Sequence, residues 1–201
     1  MKKAKQMVAA LLAAVLLLGT AANAAIYNYF PDVTTDAQYA EAVDYLAGIG
    51  IFTGDDEGNF NPDKTITRAE FATIMVRMMG EEDRAKKVRT SSFTDVLSNH
   101  WACGYITVAV ELGLVNGYGD GKYGPGDTLT YEQAVKVLIC TMGYEEIAQS
   151  LGGWPQGYMT IANDIGILQG TSSSLGAPRS VVAMLTYNTI FMGTGHNGGS
   201  I

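Results

Sequence analysis

Apolar residues recur at helical spacing in pairs of segments that share one design. In the first pair, one apolar stripe ends at glycines that suit a left-handed helix cap, and a second stripe follows a loop rich in Gly, Asp, Asn and Pro. Thr67 and Glu70, at the start of the second stripe, form a capping-box signal. The apolar positions are Ala42, Val43, Leu46 and Ile49, then Phe71, Ile74, Met75, Met78 and Met79. The pattern predicts a helix, a long loop and a second helix.

The same order of residues returns 63 positions later. The matched pairs are Phe30 and Phe93, Asp32 and Asp95, Gly50 and Gly113, Gly54 and Gly117, Pro62 and Pro125, Thr67 and Thr130, and Gly80 and Gly143. A shorter third copy begins near Trp154, which precedes Gly166 by 12 residues as Trp101 precedes Gly113. One helix pair cannot bury its apolar face alone, so three copies predict an all-α, pseudo-threefold helical bundle.

These copies divide most of the chain. The first repeat covers 25–80, the second 92–143 and a degenerate third 144–192. Residues 81–91 form a linker with charges of both signs and are predicted to be solvated. The Gly-rich tail 193–201 is predicted to be flexible.

The N-terminus has the features of a secretory signal peptide over residues 1–24. Lysines precede an apolar run from Met7 to Leu18, and Ala22-Asn23-Ala24 follows as a cleavage signal. An uncleaved membrane anchor is the alternative, although the run is short for a bilayer span. Removing these residues takes away three lysines and no acid, so the formal net charge changes from −7 to −10. An acidic exported chain argues against nucleic acid and anionic membranes as partners.

Few residues offer catalytic or metal chemistry. Two cysteines, Cys103 and Cys140, exclude a disulfide scaffold or a four-cysteine zinc site. An antiparallel helix pair in the second repeat would place them side by side, as a disulfide or in van der Waals contact. Since no Ser/His/Asp set, Gly-x-Ser-x-Gly or His-Glu-x-x-His motif is present, we predict neither an enzyme nor a cofactor.

A calcium-binding module is a rival interpretation of the loops. Asp55-Asp56-Glu57-Gly58-Asn59 and Gly119-Asp120-Gly121 resemble cation loops superficially. The second stretch has one carboxylate, whereas an EF-hand loop needs alternating oxygens and a distal bidentate Glu. A turn built from Gly, Asn and Asp is therefore favoured in both places.

The ordered motifs Phe-x-Asp-Val, Trp-Ala, Gly-Leu-Val-Asn-Gly-Tyr-Gly-Asp-Gly-Lys-Tyr-Gly-Pro and Thr-Arg-Ala-Glu resemble the S-layer homology (SLH) family. The resemblance covers the chain after the leader. It implies a spindle-like pseudo-trimer that anchors non-covalently at the bacterial cell wall or S-layer. Its inter-repeat grooves would bind secondary cell-wall polymer, often with pyruvylated N-acetylmannosamine, or peptidoglycan. A wall-coat component that self-associates through the same repeats is the alternative.

The resemblance also implies which residues bind. The family's Arg lies in Thr-Arg-Ala-Glu, and its Gly-rich loop and Trp line the groove. Gln38 replaces the Trp in the first repeat, and Tyr131 replaces the Arg in the second, so no repeat is complete. The candidate ligand-binding residues are Thr67, Arg68, Glu70, Trp101, Gly119, Asp120, Trp154 and Arg179.

A complete site could still arise between repeats, for example from Arg68 and Trp101. Arg supplies a bidentate donor for a carboxylate, and a Trp supplies a platform for a sugar ring. The alternative for Arg68 is a structural role, either pairing with Glu70 or capping a carbonyl. If Arg68 is an exposed ligand-binding charge, Arg68→Ala weakens wall binding and costs no more than about 0.5 kcal/mol of stability.

Overall fold

The computed structural model describes residues 29–192, the last by its backbone alone. The predicted signal peptide, residues 1–24, and the tail, residues 193–201, lie outside this range. Within residues 29–192, none of the helices has the length and apolar content needed to cross a membrane.

The described residues are helical with two isolated β-bridges, which confirms the all-α class. The first repeat contributes α1 and α2, the second α4 and α5, and the third α7 and α8, while α3 and α6 are short connecting helices. The helices are α1 (Ala40–Gly48), α2 (Arg68–Met78), α3 (Glu82–Ala85), α4 (Cys103–Glu111), α5 (Tyr131–Thr141), α6 (Glu145–Ser150), α7 (Gln156–Asp164) and α8 (Arg179–Met192).

Capping boxes begin both α2 and α5, as predicted for α2. Thr67 Oγ1 accepts from the Glu70 backbone N–H, and Glu70 Oε2 accepts from the Thr67 N–H at 2.7 Å. Thr130 and Gln133 repeat this exchange at α5. Each box satisfies two amides that the first turn of a helix leaves without intrahelical partners.

The three repeats form a ring in which helices of different repeats pack against each other. The second helix of each repeat packs against the first helix of another, so α2 packs on α4, α5 on α7, and α8 on α1. At the closure, the Tyr187 hydroxyl donates to Glu41 Oε1 at 2.8 Å, and Tyr45 lies edge-on to Phe191. The two helices within one repeat are not principal partners of each other.

This exchange separates the two cysteines. Cys103 is buried on α4, whose partners are α2 and α3, whereas Cys140 on α5 lies beside Tyr158 of α7. Both are free thiols, so the disulfide, one of the two arrangements considered from the sequence, is wrong. Its premise was that the helices of one repeat pack as a hairpin.

Three backbone hydrogen bonds form a closed cycle at the centre of the ring. Ile66 N–H donates to Ala177 O at 2.9 Å, Ala177 N–H donates to Leu129 O at 2.9 Å, and Leu129 N–H donates to Ile66 O at 3.0 Å. Each residue lies two positions before the second helix of its repeat, and all three are buried. The cycle therefore marks the pseudo-threefold axis and pairs backbone groups that would be costly to bury alone.

The connecting helices approach the bundle closely through glycines. A Cβ on Gly104 of α4 would lie 1.9 Å from the Ala85 carbonyl oxygen, and a Cβ on Gly157 of α7 would lie 1.9 Å from that of Ala148. Ala85 is buried, so the prediction of a solvated linker is wrong at this point. Its apolar side chain anchors the segment 81–91 to the second repeat.

Candidate functional site

The first residue of α2 inserts its side chain into the loop of the next repeat. Arg68 Nε donates to the Tyr123 carbonyl at 2.9 Å, and Nη2 donates to the Asn116 carbonyl at 2.8 Å. Its guanidinium carbon lies 4.7 Å and 4.5 Å from the ring centroids of Tyr118 and Tyr123. Hydrogen bonds from a charged donor and two aromatic faces hold this loop in place.

The first residue of α8 makes the same insertion into the loop of the first repeat. Arg179 Nε donates to the Phe60 carbonyl at 2.7 Å, and Nη2 donates to the Thr53 carbonyl at 2.9 Å. Its guanidinium carbon lies 4.8 Å from the Phe60 ring centroid and 5.6 Å from that of Phe52. Burial lowers the pKa of Arg179 from its ordinary value.

At the third interface, where the second repeat meets the loop of the third, a tyrosine stands in place of the inserted arginine. Tyr131, the first residue of α5, shares a 2.7 Å hydrogen bond between its hydroxyl and that of Thr171 in the loop of the third repeat. The docking of one repeat on the next is kept, but no guanidinium enters this loop from residue 131. The arginines thus serve first to cap loop carbonyls, the alternative raised for Arg68 from the sequence.

The aspartate of the Phe-x-Asp-Val motif closes the far end of the loop in the first and second repeats. Asp32 accepts from the Phe60 N–H at 2.8 Å and from the Asn61 N–H at 2.6 Å. Asp95 makes the corresponding pair of bonds in the second repeat. The loops of the first and second repeats are therefore each pinned by an aspartate of their own repeat and by an arginine of another.

The first groove is a depression of about 210 Å³ where all three repeats meet. The loop of the first repeat and α2 form its floor, Trp101 comes from the second repeat, and Arg179 comes from the third. Trp101 is 61% exposed, so its ring faces solvent. The charged residues that line the groove are Lys64, Arg77, Arg179, Asp55 and Glu70.

Arg77 is positioned at this groove by a polar cluster. Its Nε lies 2.9 Å from Glu82 Oε1, which also accepts from the Tyr105 hydroxyl at 2.8 Å. Burial raises the pKa of Glu82, but the hydrogen bonds from Tyr105 and Arg77 outweigh it, so the net shift is downward. Sequence reasoning missed Arg77, whose one signal was a cation in the last turn of α2.

Trp101 stacks on His100 and lies in the same groove as Arg179 rather than Arg68. Its ring centroid lies 5.8 Å from that of His100, with 26° between the planes. Trp101 and Arg179 line the first groove, whereas Arg68 lines the second groove described below. Arg68 and Trp101, the example of a shared site considered from the sequence, therefore line different grooves.

The second groove, of about 250 Å³, lies between the loop of the second repeat, α5 and Arg68. Lys136 lines it and holds its Nζ 5.5 Å from the Trp154 ring centroid and 5.4 Å from that of Tyr158. The repeat offset of 63 aligns Lys136 with Thr73 and Cys140 with Arg77. The basic residue of the helix therefore lies one turn earlier in the second groove than in the first.

At the third interface, neither a Trp nor a helix cation stands at the corresponding positions. Gln38 stands where the other repeats place a Trp, and its Nε2 lies close to Gly170. Asn188 has the position in α8 that Arg77 has in α2. Its Nδ2 donates to the carbonyls of Ile167 and Gln169. This interface presents amides rather than an aromatic ring with cations.

The remaining candidate residues act mainly within their own segments. Thr67 and Glu70 are engaged in the α2 capping box, and Glu70 also pairs with Lys64 at 3.2 Å on the edge of the first groove. Asp120 Oδ1 accepts from the Lys122 N–H at 3.0 Å, and Gly119 has a φ of +87°. Gly119 and Asp120 therefore shape the loop tip and line neither described groove.

The acidic loop of the first repeat is a hydrogen-bonded turn. Asp55 Oδ1 accepts from the backbone N–H groups of Glu57 and Asn59, and Oδ2 accepts from Asn61 Nδ2 at 2.7 Å. These bonds lower the pKa of Asp55, with that from Asn59 the largest cause. Among the residues that the structure describes, no three His, Cys, Asp or Glu side chains cluster as metal ligands would.

Two segments of this chain match one known protein family. Residues 29–72 and 92–135 match the S-layer homology domain. A cell surface protein of Thermoanaerobacter kivui is 37% identical over 85% of this chain and 22% of its own length. A surface layer protein of Brevibacillus choshinensis is 35% identical over 71% of this chain and 13% of its own length.

A cellulosome-anchoring protein of Acetivibrio thermocellus is 33% identical over 61% of this chain and 28% of its own length. The chain therefore spans less than a third of each of these three relatives.

Proposed function

We propose, from the match of residues 29–72 and 92–135 to the S-layer homology domain, that the chain attaches non-covalently to the bacterial cell wall by binding an anionic wall polysaccharide in its inter-repeat grooves. The names of the relatives, a cell surface protein, a surface layer protein and a cellulosome-anchoring protein, support a location at the cell surface. The proposal is for a binding module rather than an enzyme.

The observation that carries the proposal is the composition of the first groove. An exposed indole, Trp101, shares one depression with the cations Arg77, Arg179 and Lys64. A sugar ring packs on an aromatic face, and a carboxylate substituent is bound by guanidinium donors. Since Trp101, Arg179 and α2 come from three different repeats, the complete fold is required to assemble the groove.

Local charge supports the choice of an anionic glycan. The chain after residue 24 has a formal net charge of −10, which repels polyanions at long range. Binding must then depend on short-range contacts in places where cations outnumber acids. The first groove has three cations and two acids in its lining. The second groove, with Arg68 and Lys136, is proposed as an additional site on the same polymer.

Co-sedimentation with purified walls tests the proposal. We expect the protein to bind intact walls and to lose binding after acid extraction removes secondary polymer. Retained binding to extracted walls would redirect the proposal to peptidoglycan. Trp101→Ala is expected to reduce binding, whereas Leu175→Ala, at a 99% exposed apolar position, should not. Equal binding by these two variants contradicts a role for the first groove.

Self-association as a wall-coat component is the second candidate. It is supported by Ile147 and Leu151, which lie one helical turn apart at the end of the third repeat's connecting helix and are 48% and 45% exposed. Sedimentation velocity of the protein without walls separates the candidates. Assembly that Ile147→Ser abolishes would favour this function, and a monomer at all concentrations would exclude it.

A further inference from the structure

Trp101 lines two depressions. One is the first groove, and the other is a depression of about 310 Å³ between the linker 81–91 and the start of α4, which we name the linker depression. Its polar lining includes Lys86, Arg89, Ser98, Asn99 and His100. Because the same exposed indole borders both, a polymer that packs on Trp101 in the first groove has a continuous route into the second depression.

We propose that the linker depression binds the next anionic sugar unit of the same polysaccharide, so that the chain recognises a stretch of polymer rather than one residue. This inference rests on the proposed function of the first groove. Lys86 and Arg89 would contact the acidic substituent, and Ser98 and Asn99 offer hydroxyl and amide groups to sugar hydroxyls.

The charges of the linker are arranged for this role. Two of its three acids are paired: Glu82 with Arg77 at 2.9 Å and with Lys86 at 3.3 Å, and Glu81 with Arg84 at 3.7 Å. The charged side chains that line the depression are basic, and no Asp or Glu is among its lining residues. Arg89 is exposed, and its Nη1 donates to the adjacent Val88 carbonyl at 2.9 Å. An anion entering the depression therefore meets Arg89 without a carboxylate in the lining, whereas Lys86 is shared with Glu82, which lies outside the lining.

The third repeat provides an internal comparison. Gly80 precedes Trp101 by 21 residues, whereas Gly143 precedes the corresponding Trp154 by 11. The longer segment supplies Arg89, Ser98 and Asn99 to the linker depression. The shorter segment, residues 144–153, contains two glutamates and no Lys or Arg. Basic residues are therefore present in the segment before Trp101 and absent from the segment before Trp154.

The test uses the full chain and oligosaccharides released from purified wall polymer by mild acid and fractionated by length. Binding of each fraction is measured by calorimetry for wild type, Trp101→Ala, Arg89→Gln and Lys87→Gln. Lys87→Gln is the matched control, because Lys87 is an exposed linker cation that does not line the depression. We expect Arg89→Gln to weaken binding of long fragments by about threefold and to leave the shortest binding fragments unchanged.

Lys86→Gln is a second variant, although Lys86 also pairs with Glu82 at 3.3 Å. Together with Arg89→Gln, it should lower affinity for long fragments by about tenfold. Equal affinity of Arg89→Gln and Lys87→Gln for every fragment would overturn the linker site while leaving the first groove intact. Absence of binding by wild type to any fragment or to walls would instead overturn the proposed function and this inference together.

Discussion

Arg179 donates a hydrogen bond from Nε to the carbonyl oxygen of Phe60 at 2.7 Å, across 119 residues of sequence. Arg68 makes the equivalent bond to Tyr123 at 2.9 Å. In each case the side chain at a helix start fastens the loop of another repeat. The arginines therefore shape the groove walls, and any contact with ligand is made by a side chain that already has a structural task.

The first prediction concerns the stability of Arg68→Ala. Truncation leaves the carbonyls of Tyr123 and Asn116 without their charged donor, so we expect a loss of about 2 kcal/mol in the free energy of unfolding. This replaces the expectation of about 0.5 kcal/mol for an exposed charge. Urea denaturation measures the difference.

Two controls sharpen this prediction. Lys87→Ala removes an exposed linker cation and should cost little. Arg68→Lys keeps the charge but lacks the planar fork that reaches two carbonyls, so it should recover only part of the loss. Full stability of Arg68→Ala would show that the loop holds its shape without the arginine.

The second prediction concerns Glu70 and pH. Burial raises the pKa of Glu70, but hydrogen bonds from Thr67 and Lys64 outweigh it, so the net shift is downward. A lowered folded-state pKa means that ionised Glu70 stabilises the fold above the unfolded pKa of about 4.3, and that this contribution is lost as pH falls through the folded value. Stability measured from pH 7 to pH 3 should decline in that window.

Glu70→Gln is the matched variant because Gln133 forms the same capping box in the second repeat. We expect it to keep the box and stay within about 1 kcal/mol of wild type at pH 7. Its stability should depend less on pH below about pH 5 than that of wild type. An identical pH profile for both proteins would rule out Glu70 as a source of the acid sensitivity.

The third prediction concerns the close contact at Gly104. A methyl group there would lie 1.9 Å from a backbone oxygen of α3, so Gly104→Ala should lower the free energy of unfolding by about 3 kcal/mol. Gly157→Ala should behave similarly because of the same contact with Ala148. Gly126→Ala is the control, since no atom lies within 4 Å of the added carbon. Thermal unfolding of all three variants should separate the first two from the third.

The fourth prediction compares the two grooves. Trp154 is 49% exposed and packs with Lys136, but its side of the chain lacks the basic linker. Trp154→Ala should therefore reduce wall co-sedimentation less than Trp101→Ala does, and the double variant should lose more than either. Each variant must keep the melting temperature of wild type for the comparison to count. A larger effect of Trp154→Ala would make the second groove the main site.

The helix pairs and the α2 capping box could be predicted from the sequence because both are local. Apolar spacing shows which face of a helix is buried, and Thr67 with Glu70 marks where one begins. The same spacing does not show which helix covers that face. The disulfide considered for Cys103 and Cys140 is wrong for that reason, since α2, not α5, packs on α4.

The site was predictable only in part. Trp101 and Arg179 stood out by their place in the repeats, but their meeting in one groove depends on the direction of the helix exchange. Arg77 and Lys136 were missed because one basic residue within the apolar part of a helix creates no periodic pattern. Glu82, the partner of Arg77, lies outside α2, and Trp154, the partner of Lys136, lies outside α5.

The carbonyl of Thr53 and the Arg179 side chain that binds it are 126 residues apart. During synthesis, the first repeat leaves the ribosome well before α8 has been made. The first groove is therefore finished last, although most of its floor comes from the earliest of the three repeats. A chain cut short before α8 would carry Trp101 but lack the residue that holds the facing loop. If the first groove is the wall site, retention at the wall selects molecules whose translation has passed residue 179.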